Sequence, residues 1–200
     1  MSTSVSTAFR KVLLDRLRGI AELTDVQIEA LESHYNLLVQ WNRKLNLTAI
    51  HDLEQMVERH YCESVFLAKH VAAGEFRVVD VGSGAGLPGF PLAVYRPDRL
   101  FTLVESHQRK AAFLKEATRA LPNVRVLASR AEQIGETFDL LVSRAVSYRD
   151  LAGSLHTLAP AADLLTGAEE PPPDLGFRWN PPLPLPWGKR RYLRIGHRAR

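Results

Sequence analysis

Arg77-Val-Val-Asp80-Val-Gly82-Ser-Gly84-Ala-Gly86-Leu-Pro88-Gly89 is the stretch from which the rest of the chain can be placed. Val78, Val79 and Val81 are β-branched and nearly continuous, as in a central parallel strand covered on both faces. The alternating glycines that follow let the backbone turn sharply and let a ligand approach the main chain, because no Cβ stands in the way. Gly82 and Gly84 are therefore expected to need a positive φ or a close backbone approach. Pro88 suits the first turn of a following helix, where a missing N–H costs nothing. Strand, glycine turn and helix together make the nucleotide-binding corner of an open α/β sheet.

On the N-terminal side the pattern is helical. Residues 6–21 place Phe9, Val12, Leu13, Leu17 and Ile20 on one face. Thr24 and Gln27 have capping-box spacing and open a second helix carrying Ile28, Leu31, Tyr35 and Leu38. Asp52 with Gln55 starts a third, running to about Ala72. Residues 1–75 are thus expected to form a helical cap, and 76–200 an α/β domain, in one compact unit. On the C-terminal side, strands are expected at 100–105, 124–129, 138–143 and 162–166, with helices at 108–121 and 148–158. Such alternation implies a parallel sheet with helices on both faces and right-handed crossovers. Seven of the 12 prolines then fall between Pro171 and Pro186. That confines 171–187 to loop or edge positions, after which Arg190–Arg198 can return as a final strand.

Composition narrows the class. With 200 residues, 46% apolar and 24% charged, the chain suits one α/β domain with a small appendage. No run of eighteen apolar residues occurs, so no membrane span is expected. Cys62 is the only cysteine, which excludes an internal disulfide and points to a reducing cytoplasm. The seven histidines show no metal-ligand spacing, so no metal site is expected. The charge of +4 is uneven: six of the 26 Lys/Arg and none of the 22 Asp/Glu lie in 188–200, leaving 20 against 22, or −2, elsewhere. An anionic partner near the C-terminus is one reading, and a solvated Arg-rich hairpin is the other.

Two frames fit the glycines. Gly84-x-Gly86-x-x-Gly89, with Glu105 about twenty residues on, matches a dinucleotide fingerprint. Asp80-x-Gly82-x-Gly84-x-Gly86 resembles motif I of the S-adenosylmethionine-dependent methyltransferases. Four features fall at successive strand ends: the glycine loop, Glu105, Arg130-Ala131-Glu132 and Ser143-Arg144-Ala145. Methyltransferases of exocyclic amino groups usually carry Asn/Asp-Pro-Pro-aromatic after the fourth strand, where this chain has Ser-Arg-Ala. Asn180-Pro181-Pro182 comes after the fifth strand and reads as a turn. Cytosine-C5 chemistry needs a nearby cysteine, and Cys62 lies on an N-terminal helix. An atom that is already nucleophilic remains, and guanine N7 fits.

Further motifs cover residues 37–147. They are Trp41-Asn42-Arg43-Lys44-x-Asn46-Leu47-Thr48, Arg59-His60-x-x-Glu63-Ser64, the glycine stretch with its Leu87-Pro88-Gly89 ending, Ser106-x-x-Arg109-Lys110 and Ser143-Arg144-Ala145. With these the chain resembles the bacterial small-subunit rRNA guanine-N7 methyltransferases, the RsmG or GidB family. The resemblance implies a Rossmann-like class I methyltransferase fold and methylation of a guanine in 16S rRNA. It implies S-adenosylmethionine contacts at Asp80, Gly82, Gly84, Leu87, Glu105, Ala131, Glu132 and Arg144. Asn46, His60 and Arg144 are expected at the transfer site, in orienting roles with no general base. Arg109, Lys110, Lys189, Arg190 and Arg191 are expected to face RNA. The implied partner is small-subunit rRNA or the assembling subunit, met by a monomer in the cytoplasm and not at a membrane. The chain departs from the family at Glu63 (usually Asp), at Thr166 (usually Lys) and in its short Pro-rich region after the fifth strand. Alternatives are a methyltransferase of another RNA or small molecule, an NAD-binding protein, and a non-catalytic RNA-binding or assembly protein on the same fold.

Overall fold

The computed structural model of the chain describes residues 2–74 and 76–199. β1 (Arg77–Val81) is central, with a strand on either side, and is buried from Val78 onward under apolar clusters on both faces. β2 (Leu100–Val104) and β4 (Leu140–Arg144) pair with it in parallel. β3 (Val124–Leu127) lies outside β2, and β5 (Ala161–Thr166) outside β4, both parallel. The chain therefore reverses its direction of growth between β1 and β4. In open α/β sheets the ligand crevice opens at the carboxyl ends of the strands at such a point.

β8 (Tyr192–Arg198) runs antiparallel to β5 from Thr166↔Tyr192 to Ala161↔His197. Its outer edge carries two short strands, β6 (Phe177–Trp179) and β7 (Leu183–Pro184). Asn180-Pro181-Pro182 separates them, since consecutive prolines have no N–H for a ladder. Residues 167–176 hold only a 3-10 turn, Pro173–Leu175, where a crossover helix is common in this architecture. The Pro-rich segment thus forms edge strands and turns, as its composition requires.

Helices cover the sheet. α1 (Ser2–Leu17), α2 (Asp25–Leu45), α3 (Leu53–Met56) and α4 (Glu63–His70) precede β1. α5 (Gly89–Tyr95), α6 (Gln108–Ala117) and α7 (Tyr148–Leu158) cross between strands. α1 stops before the expected end at residue 21. Gly19 takes φ 75°, and Ile20 and Ala21 donate to Leu17 O, which closes the helix. The capping box at Thr24 is formed, with Gln27 N to Thr24 Oγ1 at 3.3 Å and Thr24 N to Gln27 Oε1 at 2.9 Å. Phe9 is fully buried and stacks on Tyr35 at 4.8 Å, so its truncation to Ala would cost about 3–5 kcal/mol. Between α3 and α4 the backbone widens into a π-helical segment, Val57–Cys62. Such segments are rare and frequent at functional sites. Here it carries Arg59 and His60. No helix among the described residues is long and apolar enough to cross a membrane.

Candidate functional site

The site is built outward from the end of β4. Ser143 Oγ donates to Val81 O at 2.8 Å, which ties β4 to β1 just below the glycine turn. Arg144 follows, and its side chain reaches back to the π-helical segment. Its Nη1 donates to Arg59 O at 2.7 Å and to His60 Nδ1 at 2.8 Å. Burial pulls the Arg144 pKa down to about 10, which leaves it a cation at neutral pH. A guanidinium can only donate, so His60 Nδ1 is an acceptor. Burial, reinforced by the Arg144 charge, holds His60 well below the usual imidazole range, so the ring is neutral. Its proton then sits on Nε2 and is donated to Thr48 Oγ1 at 2.8 Å. Asn42 fixes Thr48 in turn, accepting from Thr48 N and donating to Thr48 O, each at 2.9 Å. That clamp is the structural content of the Trp41–Thr48 signature.

These residues wall a cavity of about 600 Å³. Leu47 to Ile50 form one side and Arg144 to Tyr148 another, with Arg59, His60 and Arg191 between them. On the far side of Val146 a cleft of about 520 Å³ runs over the ends of β1 and β2. Its lining includes Gly82, Ser106, Ala131, Glu132 and Arg149. Cleft and cavity meet where Gly82 faces Val146. A Cβ added at Gly82 would come within 2.7 Å of Val146 Cγ2. Gly82, Gly84 and Gly86 all have left-handed φ, at 71°, 56° and 78°. Glu105 is buried at the end of β2, and its carboxylate accepts from Gly84 N (2.9 Å) and His107 N (2.7 Å).

The expected site residues divide into three groups. Gly82, Ala131 and Glu132 line the cleft, with Glu105 bracing its glycine loop through Gly84. His60, Arg144 and Arg191 line the cavity. The others lie elsewhere. Asn46 is exposed with φ 47° at the C-terminus of α2, so it turns the chain while Leu47 and Thr48 reach the cavity. Arg109 and Lys110 stand on the first turn of α6, Arg109 exposed and Lys110 half-buried.

Three expected residues have side chains engaged away from the open cleft. Leu87 does not reach the cleft: it is buried in an apolar cluster with Leu38, Leu103, Phe113 and Leu114. Asp80 is fully buried beneath the glycine turn, where Oδ2 accepts from Gly89 N at 3.0 Å. Burial pushes its carboxyl up to about 7. A Cβ at Gly89 would lie 2.2 Å from Leu103 Cδ2 and 2.6 Å from Asp80 Oδ2, so Asp80 shapes the turn from behind. Arg191 is not a free cation. It forms a bidentate pair with the fully buried Glu63, both contacts at 2.6 Å.

The basic C-terminus is correspondingly less available than its composition implies. Arg194 is buried between Glu170, Glu169 O and Thr166 Oγ1. Arg198 donates to the carbonyls of His156 and Ala159. Lys189 and Arg190 are exposed, and Arg200 lies outside the described residues. Thr48, Arg59 and Glu63 are site residues that sequence reasoning missed, although all three stand inside quoted motifs, and the pairing of Glu63 with the expected Arg191 was not foreseen. His34 was missed entirely. It joins α2 to the glycine turn, with Nε2 to Ala85 O and Nδ1 to Tyr61 Oη, both 2.8 Å. Its one signal is a polar residue beside Tyr35 on an otherwise apolar helical face.

The chain is similar to known proteins in sequence and in fold. The family model described as rRNA small subunit methyltransferase G (GidB) matches residues 27–160. The ribosomal RNA small subunit methyltransferase G of Chromobacterium violaceum is 45% identical over 130 residues, 63% of this chain and 62% of that protein. The protein of the same name from Xylella fastidiosa is 45% identical over 131 residues, 64% of this chain and 61% of its own. The chain thus spans about 62% of the length of such relatives. Among solved structures, a SAM dependent methyltransferase from Aquifex aeolicus superposes with TM-score 0.56 at 18% identity, over 72% of this chain and 93% of that one. The magnesium protoporphyrin IX methyltransferase of Synechocystis PCC 6803, solved with bound SAM, gives 0.54 at 13% identity over 98% and 96% of the two chains. At such identities the likeness is one of fold: a Rossmann-like class I methyltransferase fold.

Proposed function

The chain belongs to the rRNA small subunit methyltransferase G family, and from that premise we propose that it methylates N7 of a guanine in 16S rRNA, using S-adenosylmethionine. The supporting observation is the meeting of a cleft and a cavity across the Gly82–Val146 contact, at the switch point of the sheet. The cleft residues suit the cofactor. The loop is left-handed at three glycines, and a Cβ at Gly84 would find nothing nearer than Gly82 O at 3.8 Å. Glu105 keeps spare lone pairs for a ribose diol, because each carboxylate oxygen can accept twice. Gly82, Glu105, Ala131 and Glu132 hold the cofactor in this reading, with Asp80 and Leu87 positioning the loop.

When bound, S-adenosylmethionine supplies an electrophilic methyl on a sulfonium that leaves as a neutral thioether. Guanine N7 attacks with an in-plane lone pair, and no proton has to be removed. The cavity suits a reaction without a base. His60 has both nitrogens engaged and is held neutral, so it has no free lone pair. Burial pushes the Cys62 thiol up, which rules out a thiolate. What the protein contributes is alignment and electrostatics. Arg144 is the fixed cation of the wall, and Arg59 adds a second positive charge to the lining, a sign that suits a polyanion. The partner is small-subunit rRNA or the assembling subunit, met by a monomer in the cytoplasm.

The test is transfer of a labelled methyl to 16S rRNA or small subunits lacking the modification, followed by mapping of the methylated atom. Label at a guanine N7 is expected, and Arg144→Ala should lower the rate about a hundredfold or more, as for loss of one oriented donor. Absence of label on either substrate would overturn the reading.

A further inference from the structure

Four hydroxyls line the cavity among the described residues: Thr48, Ser147, Tyr148 and Thr166. Three have an acceptor for their proton. Ser147 Oγ donates to Asp150 Oδ2 at 2.7 Å, Tyr148 Oη to Glu169 O at 3.4 Å and Thr166 Oγ1 to Gly167 O at 3.2 Å. Thr48 differs. Arg144 fixes the His60 tautomer, so Thr48 Oγ1 accepts from His60 Nε2 (2.8 Å) and also from Ile50 N (3.1 Å). Both lone pairs are used and the hydroxyl proton is left over. Arg144, His60 and Thr48 form a chain of donors in one direction, and its last donor has no protein partner. A donor polarised in this way is stronger than an isolated hydroxyl.

We propose that Thr48 donates this hydrogen bond to O6 of the target guanine and so selects guanine over adenine. The inference rests on the guanine-N7 reading above. The Hoogsteen edge of guanine carries two acceptors, N7 and O6. N7 must keep its lone pair for the methyl, so a donor in the wall serves the reaction only at O6. The usual arginine fork across O6 and N7 would occupy that lone pair, so neither Arg59 nor Arg191 can read this edge in the bidentate way. Arg144 Nε also lacks a partner, but it is sealed from the cavity. Adenine presents an amino group where guanine has O6, and two donors would then face each other with no acceptor. Thr48 is thus a specificity-determining residue, not a catalytic one.

The experiment uses the full chain and 16S rRNA assembled by ligation, with guanine, inosine or 2-aminopurine at the methylated position. Inosine keeps N7 and O6, whereas 2-aminopurine keeps N7 and lacks O6. Affinity is read with cofactor-free protein, and methylation separately. The wild type should bind guanine and inosine RNAs alike and 2-aminopurine RNA about tenfold more weakly, the usual worth of one hydrogen bond. Thr48→Ser should keep that ratio. Thr48→Val should bring it to about one, even if overall affinity falls, because lost packing weakens all three RNAs equally. A wild type indifferent to O6, or a folded Thr48→Val that keeps the ratio, would overturn the inference while N7 methylation of guanine RNA left the functional reading standing. Should Thr48→Val fail to fold, the wild-type ratio alone still decides against O6 readout if it is near one, and for it if Thr48→Ser retains a tenfold ratio that Thr48→Cys, a weak donor, loses. A wild type that methylates no guanine overturns both.

Discussion

His34 shows how much one buried side chain can hold. Its ring accepts from Tyr61 Oη, donates to Ala85 O and stacks on Phe90 at 4.2 Å. Burial lowers its pKa from 6.5 to about 4, against an opposing pull from the Ala85 carbonyl. A depressed folded pKa means that the unfolded chain takes up the proton first. Stability from this group is complete above the unfolded value and is lost as pH falls from 6.5 towards 4. Between pH 7.5 and 5 the loss is about 2 kcal/mol. Asp80 acts with the opposite sign: with its pKa raised from 3.8 to about 7, its contribution is complete below 3.8 and is lost as pH rises from there to about 7. The wild-type profile is therefore flattened, and the readout is a difference. His34→Gln should unfold at lower urea at pH 7.5, with the gap to wild type closing by about 2 kcal/mol at pH 5. A constant gap would show that His34 is not held neutral.

Among the elements, the glycine turn and the strand ends were legible because they are local. Val78 to Val81 announce a buried strand, and Gly82, Gly84 and Gly86 announce positive φ. Arg144 could be placed because β4 ends next to β1. The π-helical segment could not be read, because bonding to the fifth residue leaves no mark on an apolar stripe that already suits an α-helix. The Glu63–Arg191 pair was equally hidden: 128 residues separate its members, and neither periodicity nor capping connects them. The positions of Asp80 and Leu87 behind the turn could not be read, because a motif fixes which residues surround a turn, not which side of it they face. The turn itself supports a graded test. Gly84→Ala meets open space and should cost only the left-handed strain, about 1–2 kcal/mol in urea unfolding. Gly82→Ala adds the Val146 contact, so calorimetry should find S-adenosylmethionine binding weakened more by Gly82→Ala than by Gly84→Ala. The reverse order would mean that the Gly82–Val146 boundary does not shape the cofactor cleft.

For the whole molecule, composition overstated the free charge at the C-terminus. Three of its cations are consumed by Glu63, Glu170 and backbone carbonyls, which leaves Lys189 and Arg190 exposed to RNA. Each phosphate contact to a single strand contributes about 0.7 to the log–log salt slope, so replacing both by Gln should lower it by about 1.4. The methylated nucleotide should not change, because phosphate contacts position without identifying sequence. An unaltered slope would assign both residues to solvent. Arg191→Gln belongs to a different class. It strands a buried carboxylate and should cost about 3–5 kcal/mol of stability, with the salt slope unaffected.

The broken outer edge of the sheet has a consequence for how copies of the chain meet. A long, flat edge strand is a template on which another chain can add a strand and begin to aggregate. Here Asn180-Pro181-Pro182 divides that edge between two strands of three and two residues, and the prolines supply no N–H to a newcomer. At the opposite edge β3 has only four residues, and Arg125 on it is tied to Glu136. Neither margin offers an incoming strand a long uninterrupted ladder, so the sheet resists growth from both sides.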